Sequence, residues 1–162
     1  MDTTQYVIDE CDRQEATNYD DFQAAMDAAK KSRIGFDIDS PETLGHFVCH
    51  LANKVDPANT YHAGTDLRNL RTSHVGFRDG GTAAPTHEVP ERFQRWCNLA
   101  YVVVTNDSWV ESFSDDVDII IKMLLEIHPW KDGNGRTASI LRNWMLGTLD
   151  DPQPLPYYFG QS

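Results

Sequence analysis

The sequence is poor in cysteine and has no long apolar run. Its three cysteines, Cys11, Cys49 and Cys97, lie far apart and show no CxxC spacing. This argues against a disulfide framework or a cysteine zinc site and favours a reducing compartment. No apolar run approaches the roughly 20 residues of a membrane span, and no basic-then-apolar signal segment opens the chain. We therefore expect a cytoplasmic protein without a membrane partner, although the sequence leaves delivery into a host cell open.

Basic side chains are also scarce, with 14 Lys and Arg against 25 Asp and Glu and a net charge of −11. This balance argues against nonspecific nucleic-acid binding, which needs a basic face. The charge is uneven: residues 1–66 carry a net charge of −8, whereas residues 122–142 carry +2. The acidic part is typical of a solvated surface. The basic part is suited to a small polyanionic ligand.

A length of 162 residues with 40% hydrophobic content indicates one domain with a real core. The opening segment, to about Tyr19, is polar, and we expect it to be loosely held. Alanines and helical spacing predict a helix over residues 20–33. A second helix is predicted over 40–55, with Ser40 as N-cap and Pro41 at its first position.

The second half of the chain predicts three more helices. One starts near Pro90, with an inward face made by Phe93, Trp96, Leu99 and Ala100. The next covers residues 114–128, with Ser114 as its cap, and is apolar nearly all round, which is typical of a central buried helix. The last runs from residue 136 to Gly147. Between residues 57 and 90, glycines and prolines indicate loops with one short extended segment, 72–77. The predicted fold is mostly α, with a small hairpin or extended flap.

The junction between the last two helices, "HPWKDGNGR" at residues 128–136, is dense in polar groups. Gly133 and Gly135 permit an anion nest of backbone N–H groups. The dipole of the following helix and the guanidinium of Arg136 favour phosphate at the same place. Asp132 would repel phosphate unless a divalent cation such as Mg²⁺ bridges the two. His128 is suited to act as a general base against a hydroxyl.

Each part also has a plain structural interpretation. Asp-Gly and Asn-Gly pairs occur in ordinary turns, Asp132 is a reasonable helix cap, and Arg136 is a reasonable surface residue. Trp130 is expected to turn inward and anchor the loop. The joint occurrence of these residues in this order between two helices favours transfer of a phosphorus centre, in which positioning and charge stabilisation do most of the catalysis.

The stretch "HPWKDGNGRTAS" resembles the signature of Fic domains, HxFx(D/E)GNGRxxR, with Trp130 at the position of the motif's Phe. The resemblance extends to "DVDIIIKMLLEI" before it, "ILRNWML" and "PQPLPYY" after it, and "AGTDLRNLRTSHVGF" and "VPERFQRW" upstream. It covers residues 40–160, which we take as a Fic-like catalytic domain. The resemblance implies a mostly α fold, a Fic-like helical bundle with a short β-hairpin flap. Residues 1–39 match nothing specific and are assigned as an N-terminal polar segment and helix.

The resemblance implies transfer of AMP from ATP to a Ser, Thr or Tyr hydroxyl of a target protein, with Mg²⁺ as cofactor. His128 would then take the proton from the target hydroxyl, and Asp132 would hold Mg²⁺ against the α- and β-phosphates. Gly133, Asn134 and Gly135 would cradle the phosphates, with Asn134 reaching the α-phosphate. Arg136 would neutralise the β-phosphate of the departing pyrophosphate.

Two further assignments follow from the resemblance. The flap around Ser73, His74, Val75 and Gly76 would bind the target segment by strand addition. Asn143 stands where many members of the family have an Asn near the nucleotide.

The sequence departs from the motif at its last position, where Ser139 replaces Arg. In the family that Arg orients the outer phosphate and binds the glutamate of an autoinhibitory helix. The inhibitory motif, (S/T)xxxE(G/N), is also absent, since no Ser or Thr is followed four positions later by Glu. Control by a separate inhibitor protein therefore stays open. Arg142, one turn further on, is a candidate replacement for the missing arginine.

Three functions stay open at this point. The first is protein adenylyltransfer. The second is another nucleotidyl or phosphoryl transfer to protein, such as UMP transfer or the kinase reaction of the related Doc toxins. The third is a nucleotide- or protein-binding module with little turnover. The intact pair His128 and Asp132 favours an enzyme.

Overall fold

The structure is a computed structural model that describes residues 1–59, 82–106 and 111–157. Six α-helices account for most of this part of the chain. They are α1 (Thr3–Arg13), α2 (Tyr19–Lys30), α3 (Pro41–Val55), α4 (Val89–Thr105), α5 (Phe113–Ile127) and α6 (Asn134–Leu146). A short 3₁₀ turn, Thr86–Glu88, leads into α4. The prediction of a mostly α protein is confirmed.

The α3 helix begins as its sequence predicts. The Ser40 hydroxyl accepts a hydrogen bond from the Thr43 backbone N–H at 3.1 Å, and the Thr43 hydroxyl accepts one from the Ser40 N–H at 3.0 Å. This reciprocal capping box, with Pro41 in the first turn, satisfies donors that the helix start leaves without partners. The helix ends at Val55, and a turn over 56–59 follows.

The expectation of a loosely held opening segment is wrong. Residues Thr3–Arg13 form α1, which begins where the Asp2 carboxylate accepts a hydrogen bond from the Gln5 backbone N–H at 3.1 Å. Tyr6, Val7 and Cys11 are buried on one face of this helix and belong to the main hydrophobic core. Their helical spacing signals a helix, but the many polar residues between them conceal it.

The most buried helix is α6 rather than the predicted α5. It packs against α1, α2, α3 and α5, and ten of its 13 residues are buried. In contrast, α5 packs mainly on α4 and α6 and leaves Ile119 56% exposed. The junction of interest is therefore the connection into the central helix of the bundle.

Two local predictions need correction. Leu99 is 43% exposed on α4, and the neighbouring Cys97 is buried instead. The N-cap position of α5 is Ser112, so Ser114 lies inside the helix rather than capping it. In both cases the helix was predicted and its register or boundary was off by a small amount.

The predicted β-hairpin flap falls within residues 60–81 and lies outside the described residues. In the part that the structure describes there is no strand, and Ile34 and Ile38 form an isolated bridge. None of the described helices combines the length and the apolar character that crossing a membrane requires.

Candidate active site at the α5–α6 junction

The α5 helix stops at His128, which adopts left-handed backbone angles of φ 54° and ψ 62°. The His128 N–H still donates to the Leu124 carbonyl at 3.0 Å, so this residue closes the last turn. Pro129 follows and cannot continue the helix. The left-handed angles are uncommon for a residue with a Cβ. They turn the chain sharply at the residue predicted to act as base, and its side chain is buried, with the residue 1% exposed.

Asn134 fixes the shape of the loop from inside. Its side-chain carbonyl accepts a hydrogen bond from the Trp130 backbone N–H at 3.0 Å, and its amide donates to the Trp130 carbonyl at 2.9 Å. The Trp130 ring is 3% exposed and packs edge-on against Phe93, with ring centroids 5.8 Å apart. The expectation that Trp130 turns inward is confirmed. The predicted phosphate ligand Asn134 is already occupied in holding the loop.

Gly133 makes the turn into α6. Its φ of 76° is in the left-handed region, and a Cβ built on it would lie 2.9 Å from Cγ1 of Val55. Both the backbone angle and the close approach of α3 therefore require glycine here. The start of α6 has no side-chain cap. As at any helix start, the first backbone N–H groups have no partner within the helix, and here the cap residue supplies no side-chain acceptor either. This arrangement favours an anion.

Arg136 lies in the first turn of α6 and is 2% exposed. Its Nη1 donates to the Asn18 side-chain carbonyl at 2.6 Å, and its Nη2 lies 3.6 Å from Oδ1 of Asp132. Asn18 in turn donates to the Val55 carbonyl at 2.8 Å. The guanidinium is thus held at the helix start beside the predicted metal ligand, and its Nε has no hydrogen-bond partner in the described part of the chain.

The end of α1 lies against the start of α6. A Cβ on Gly135 would lie 2.3 Å from both Nε2 and Oε1 of Gln14, so the Gln14 amide occupies the space over that glycine. These two amide atoms are buried and have no hydrogen-bond partner among the described residues. One turn further along α6, the Tyr6 hydroxyl is 2.6 Å from the Ser139 hydroxyl.

Asn143 lies one turn beyond Ser139 on α6 and also contacts Tyr6. Its amide donates to the Tyr6 hydroxyl at 3.3 Å, to the Ser139 carbonyl at 2.9 Å and to the Gln153 carbonyl at 2.9 Å. Its carbonyl accepts from the Thr148 hydroxyl and the Gln153 N–H, both at 2.7 Å. Asn143 thus ties α6 to the segment that follows it. A contact with nucleotide stays a prediction for this residue.

Burial governs the ionisation of the groups on the inner face of α1. It raises the pKa of the Tyr6 phenol, which the hydrogen bond with Ser139 lowers in part. Burial likewise raises the pKa of the Cys11 thiol to about 11, while the nearby Arg136 guanidinium opposes the rise. Both groups are therefore neutral at physiological pH, so α1 contributes no anion from them that could pair with Arg136.

Among the predicted site residues that the structure describes, Asp132 is the most accessible, with a side chain 43% exposed. Its Oδ1 accepts a hydrogen bond from the Gly133 N–H at 2.8 Å. No cluster of three or more His, Cys, Asp or Glu suited to a metal occurs among the described residues. One carboxylate together with phosphate oxygens is a common donor set for Mg²⁺, so Asp132 fits a cation that arrives with a nucleotide.

The structure brings six predicted residues into one loop and the first turn of α6: His128, Asp132, Gly133, Asn134, Gly135 and Arg136. Asn143 lies two turns along α6, and Ser73, His74, Val75 and Gly76 lie outside the described residues. Arg142 does not replace the missing motif arginine, because its Nε donates to Asp118 on α5 at 2.8 Å.

Sequence reasoning missed Tyr6, Gln14, Asn18 and Asn59, which contact the junction from other elements. Helical spacing in α1 is a signal that could have found Tyr6. Asn18 occupies the N-cap position of α2, and Asn59 lies in the turn after α3. Nothing local distinguishes them from ordinary cap and turn residues. Only the packing of α1, α2 and α3 around α6 gives them a role.

A sequence model of the Fic/DOC family matches residues 57–146. This is more than half of the chain, and the match contains the whole α5–α6 junction. The protein belongs to the Fic/DOC family. Comparison with curated proteins and with solved structures found no match.

Members of this family are generally enzymes that transfer a group to proteins, and their activities include AMP transfer and the Doc-like kinase reaction. They typically use a nucleotide substrate and Mg²⁺. The family match begins at residue 57, after α3, so α1, α2 and α3 all lie outside the matched range. The expected boundary between residues 39 and 40 stays a prediction.

Proposed function

We propose that this protein transfers AMP from ATP to a hydroxyl side chain of a target protein. The hydroxyl oxygen forms a bond to the α-phosphorus, the bond from that phosphorus to the β-phosphate bridging oxygen breaks, and pyrophosphate leaves. The hydroxyl proton passes to His128. Catalysis of this kind depends on holding the reactants in line and on neutralising charge.

The observation that carries the proposal is the construction of the α6 start. Gly133 opens a helix that has no side-chain cap, and a buried arginine with one unbonded nitrogen stands in its first turn. The Thr137 hydroxyl, also buried there, has no hydrogen-bond partner in the described part of the chain. A helix start with unsatisfied donors and a buried cation is suited to phosphate oxygens.

His128 is suited to be the base because it lies at the opposite end of the same short loop. The Asn134–Trp130 hydrogen bonds hold this loop in one shape. A phosphate on the α6 start would therefore have the imidazole nearby at a fixed position. Proton acceptance by a histidine near neutral pH is ordinary general-base chemistry.

Asp132 would hold Mg²⁺ between its carboxylate and the phosphates. When bound, the cation would neutralise charge on the phosphate oxygens. The ion pair of Asp132 with Arg136, 3.6 Å apart, supports this assignment because it keeps the carboxylate and the guanidinium together at the place where phosphates would lie. Arg136 would then stabilise the negative charge that develops on the departing pyrophosphate.

Nucleotide binding would also require the Gln14 end of α1 to move away from Gly135. His128, Asn134, Arg136 and Ser139 are each at most 2% exposed in this conformation. The Gln14 amide fills the space over Gly135 that a phosphate would need. A nucleotide that binds only when α1 has shifted pays for that shift with part of its binding energy, and its apparent affinity falls accordingly.

Labelled ATP tests the proposal directly. The purified protein is incubated with Mg²⁺, host lysate and ATP labelled either at the α- or at the γ-phosphate. We expect α-label, and no γ-label, on a target protein. Label on protein from the γ-position alone would refute AMP transfer, and so would the absence of label from both positions after lysates, nucleotides and divalent cations have been varied.

Phosphoryl transfer is the second candidate, and Ser139 is the observation that favours it. This serine replaces the motif's last arginine, and its hydroxyl is bound to Tyr6 rather than available to an outer phosphate. A donor bound without that contact could expose its γ-phosphorus instead. The γ-label arm of the same experiment distinguishes the two reactions, and UTP labelled at the α-phosphate tests UMP transfer.

The remaining assignments are part of the same proposal. The partners are a target protein and a nucleotide, with the segment Ser73, His74, Val75 and Gly76 in contact with the target. Cytoplasmic location and control by a separate inhibitor protein belong to the proposal as well. Cross-linking from a photoreactive group at position 74 to a labelled target tests the docking segment, and a target that cross-links only elsewhere would contradict it.

A further inference from the structure

Asn59 links the end of α3 to the α5–α6 junction. It is 4% exposed. Its side-chain amide donates to the Ala52 carbonyl at 3.1 Å and to the Asp132 carbonyl at 2.7 Å. Its side-chain oxygen accepts from the Asp132 N–H at 3.2 Å. Every hydrogen-bonding group of this amide therefore points at either α3 or Asp132.

Asn59 is itself held firmly by α3 and the turn after it. Its backbone N–H donates to the Asp56 carbonyl at 2.9 Å, and the Asp56 carboxylate accepts from the Ala58 N–H at 2.9 Å. The side-chain amide of Asn53 donates to the Asn59 carbonyl. The residue is thus attached to a helix rather than to a free loop, which allows it to define a position accurately.

The two hydrogen bonds between Asn59 and Asp132 hold the two peptide groups on either side of the Asp132 Cα. A hydrogen bond to the N–H fixes the peptide plane before the Asp132 Cα, and a bond to the carbonyl fixes the plane after it. Together they determine the direction of the Cα–Cβ bond and so the direction of the carboxylate. Oδ1 of that carboxylate accepts from the Gly133 N–H at 2.8 Å, and Oδ2 has no hydrogen bond to a described residue.

We propose that Asn59 is a positioning residue that aims the Asp132 carboxylate at the divalent cation of the transfer reaction. This rests on the proposed function, in which Asp132 holds Mg²⁺. Residues that orient a metal ligand act through that ligand, and their loss weakens metal use more than it weakens the fold. An Asn meets the requirement because it offers donors and an acceptor on one short planar group, whereas Asp offers no donor and Gln is one methylene longer.

The experiment compares Asn59→Ala and Asn59→Asp with the control Asn53→Ala. The control removes the bond to the Asn59 carbonyl and so disturbs the same turn without breaking the contacts to Asp132. We measure transfer of α-label against Mg²⁺ concentration at saturating ATP, and thermal unfolding for each protein. The two Asn59 variants should need at least about tenfold more Mg²⁺ for half-maximal rate. Their rate at saturating Mg²⁺ should stay within about threefold of the wild type.

A second readout is independent of turnover. Amide hydrogen exchange at Asp132 should accelerate in both Asn59 variants. In Asn59→Ala the Asp132 N–H loses its buried acceptor, and in Asn59→Asp the Asp132 carbonyl loses its donor. We measure the binding of Mn²⁺ by calorimetry in the presence of a non-hydrolysable ATP analogue. Its affinity should fall by the same factor by which the Mg²⁺ concentration for half-maximal rate rises. Asn53→Ala should leave both the Mn²⁺ affinity and the Mg²⁺ dependence unchanged.

A lowered melting temperature with an unchanged Mg²⁺ requirement would show that Asn59 is only structural and would overturn the inference. If Asn59→Ala does not fold, Asn59→Asp and the variant Asn59→Ser, which keeps a hydroxyl donor, carry the same comparison. Absence of labelling by the wild type would instead refute the proposed function. The inference is overturned separately when the wild type is active and the Asn59 variants keep its metal dependence.

Discussion

The α5–α6 junction is contacted from two sides, and the two contacts differ in kind. On the α3 side, Val55 packs against Gly133 and Asn59 binds the backbone of Asp132. On the α1 side, Gln14 lies over Gly135 and Tyr6 binds the hydroxyl of Ser139.

The α3 side holds main-chain groups, and its hydrogen bonds are complete. The α1 side contacts surfaces that a ligand would need, and it buries an amide that has no partner in the described part of the chain. A buried amide without hydrogen bonds costs free energy, so this contact is the less favourable of the two. The comparison indicates that α3 holds the backbone of the junction, whereas the Gln14 side chain at the end of α1 covers Gly135 and can be displaced at lower cost.

The largest expected effect concerns His128, the proposed base at the start of the junction. Replacing His128 by Asn should reduce transfer of α-label by about 100- to 10,000-fold, the usual contribution of general-base catalysis. Asn is the matched choice because it tolerates left-handed backbone angles such as the φ of 54° found here, whereas Ala adds strain. Circular dichroism and thermal unfolding should show an intact fold. Full activity in a folded His128→Asn variant would eliminate the proposed base.

The next effect concerns the close contact between Val55 of α3 and Gly133. Gly133→Ala should lower the free energy of unfolding by about 2–3 kcal/mol, because it adds left-handed strain and a clash with Val55 at 2.9 Å. Gly147→Ala is the matched control. Its φ is 73°, and a Cβ there would meet nothing within 4 Å, so it reports strain alone, about 1 kcal/mol. Urea denaturation gives both values. Equal losses of unfolding free energy in the two variants would show that the contact between Val55 and residue 133 adds no cost beyond backbone strain.

A smaller effect is expected at Gln14, the residue at the end of α1 that lies over Gly135. Gln14→Ala should raise the transfer rate at subsaturating ATP by about three- to tenfold, because less free energy is needed to uncover the α6 start. Gln5→Ala on the exposed face of the same helix is the control and should have no effect. Alkylation of Cys11, which is 0% exposed in this conformation, should accelerate in Gln14→Ala and is followed by mass spectrometry. A rate unchanged by Gln14→Ala would mean that this side chain does not limit access.

The smallest effect tests the contact between Gln14 and Gly135 by itself. Gly135→Ala in the wild type should destabilise by about 1 kcal/mol, because the new Cβ meets the Gln14 amide at 2.3 Å. In the Gln14→Ala background the same change should stabilise by up to about 1 kcal/mol, since alanine favours a helix over glycine. The sign reversal in this double-mutant cycle is the result to look for in urea denaturation. The same sign in both backgrounds would place Gln14 away from Gly135.

Much of the fold was predictable because local signals agree with tertiary needs. The Ser40–Pro41 start of α3 and the Gly147 stop of α6 both occur where the sequence indicates. Predictions failed where a signal depends on packing. The sequence pattern favoured Leu99 as an inward residue of α4, but the position of α5 against α4 leaves it exposed.

The site divides in the same way. The residues of "HPWKDGNGR" and their order are visible in the sequence, and so is the absence of the motif's last arginine at Ser139. The partners of those residues are not visible. Arg136 meets Asn18, 118 positions away, and Ser139 meets Tyr6, 133 positions away. No local pattern encodes such pairs, because they arise only when separate helices pack on α6.

The sequence by itself determined the helical class, the place of the α5–α6 junction and its Fic/DOC motif, because helix starts, helix stops and a short motif are specified by neighbouring residues. The tertiary structure decided which groups of that loop are hydrogen-bonded within the protein. It also decided that residues of α3 and the turn after it hold the loop and that Gln14 covers Gly135. Those properties depend on contacts between helices distant in the chain, and the free energy of such contacts depends on complementary surfaces that only the folded chain brings together.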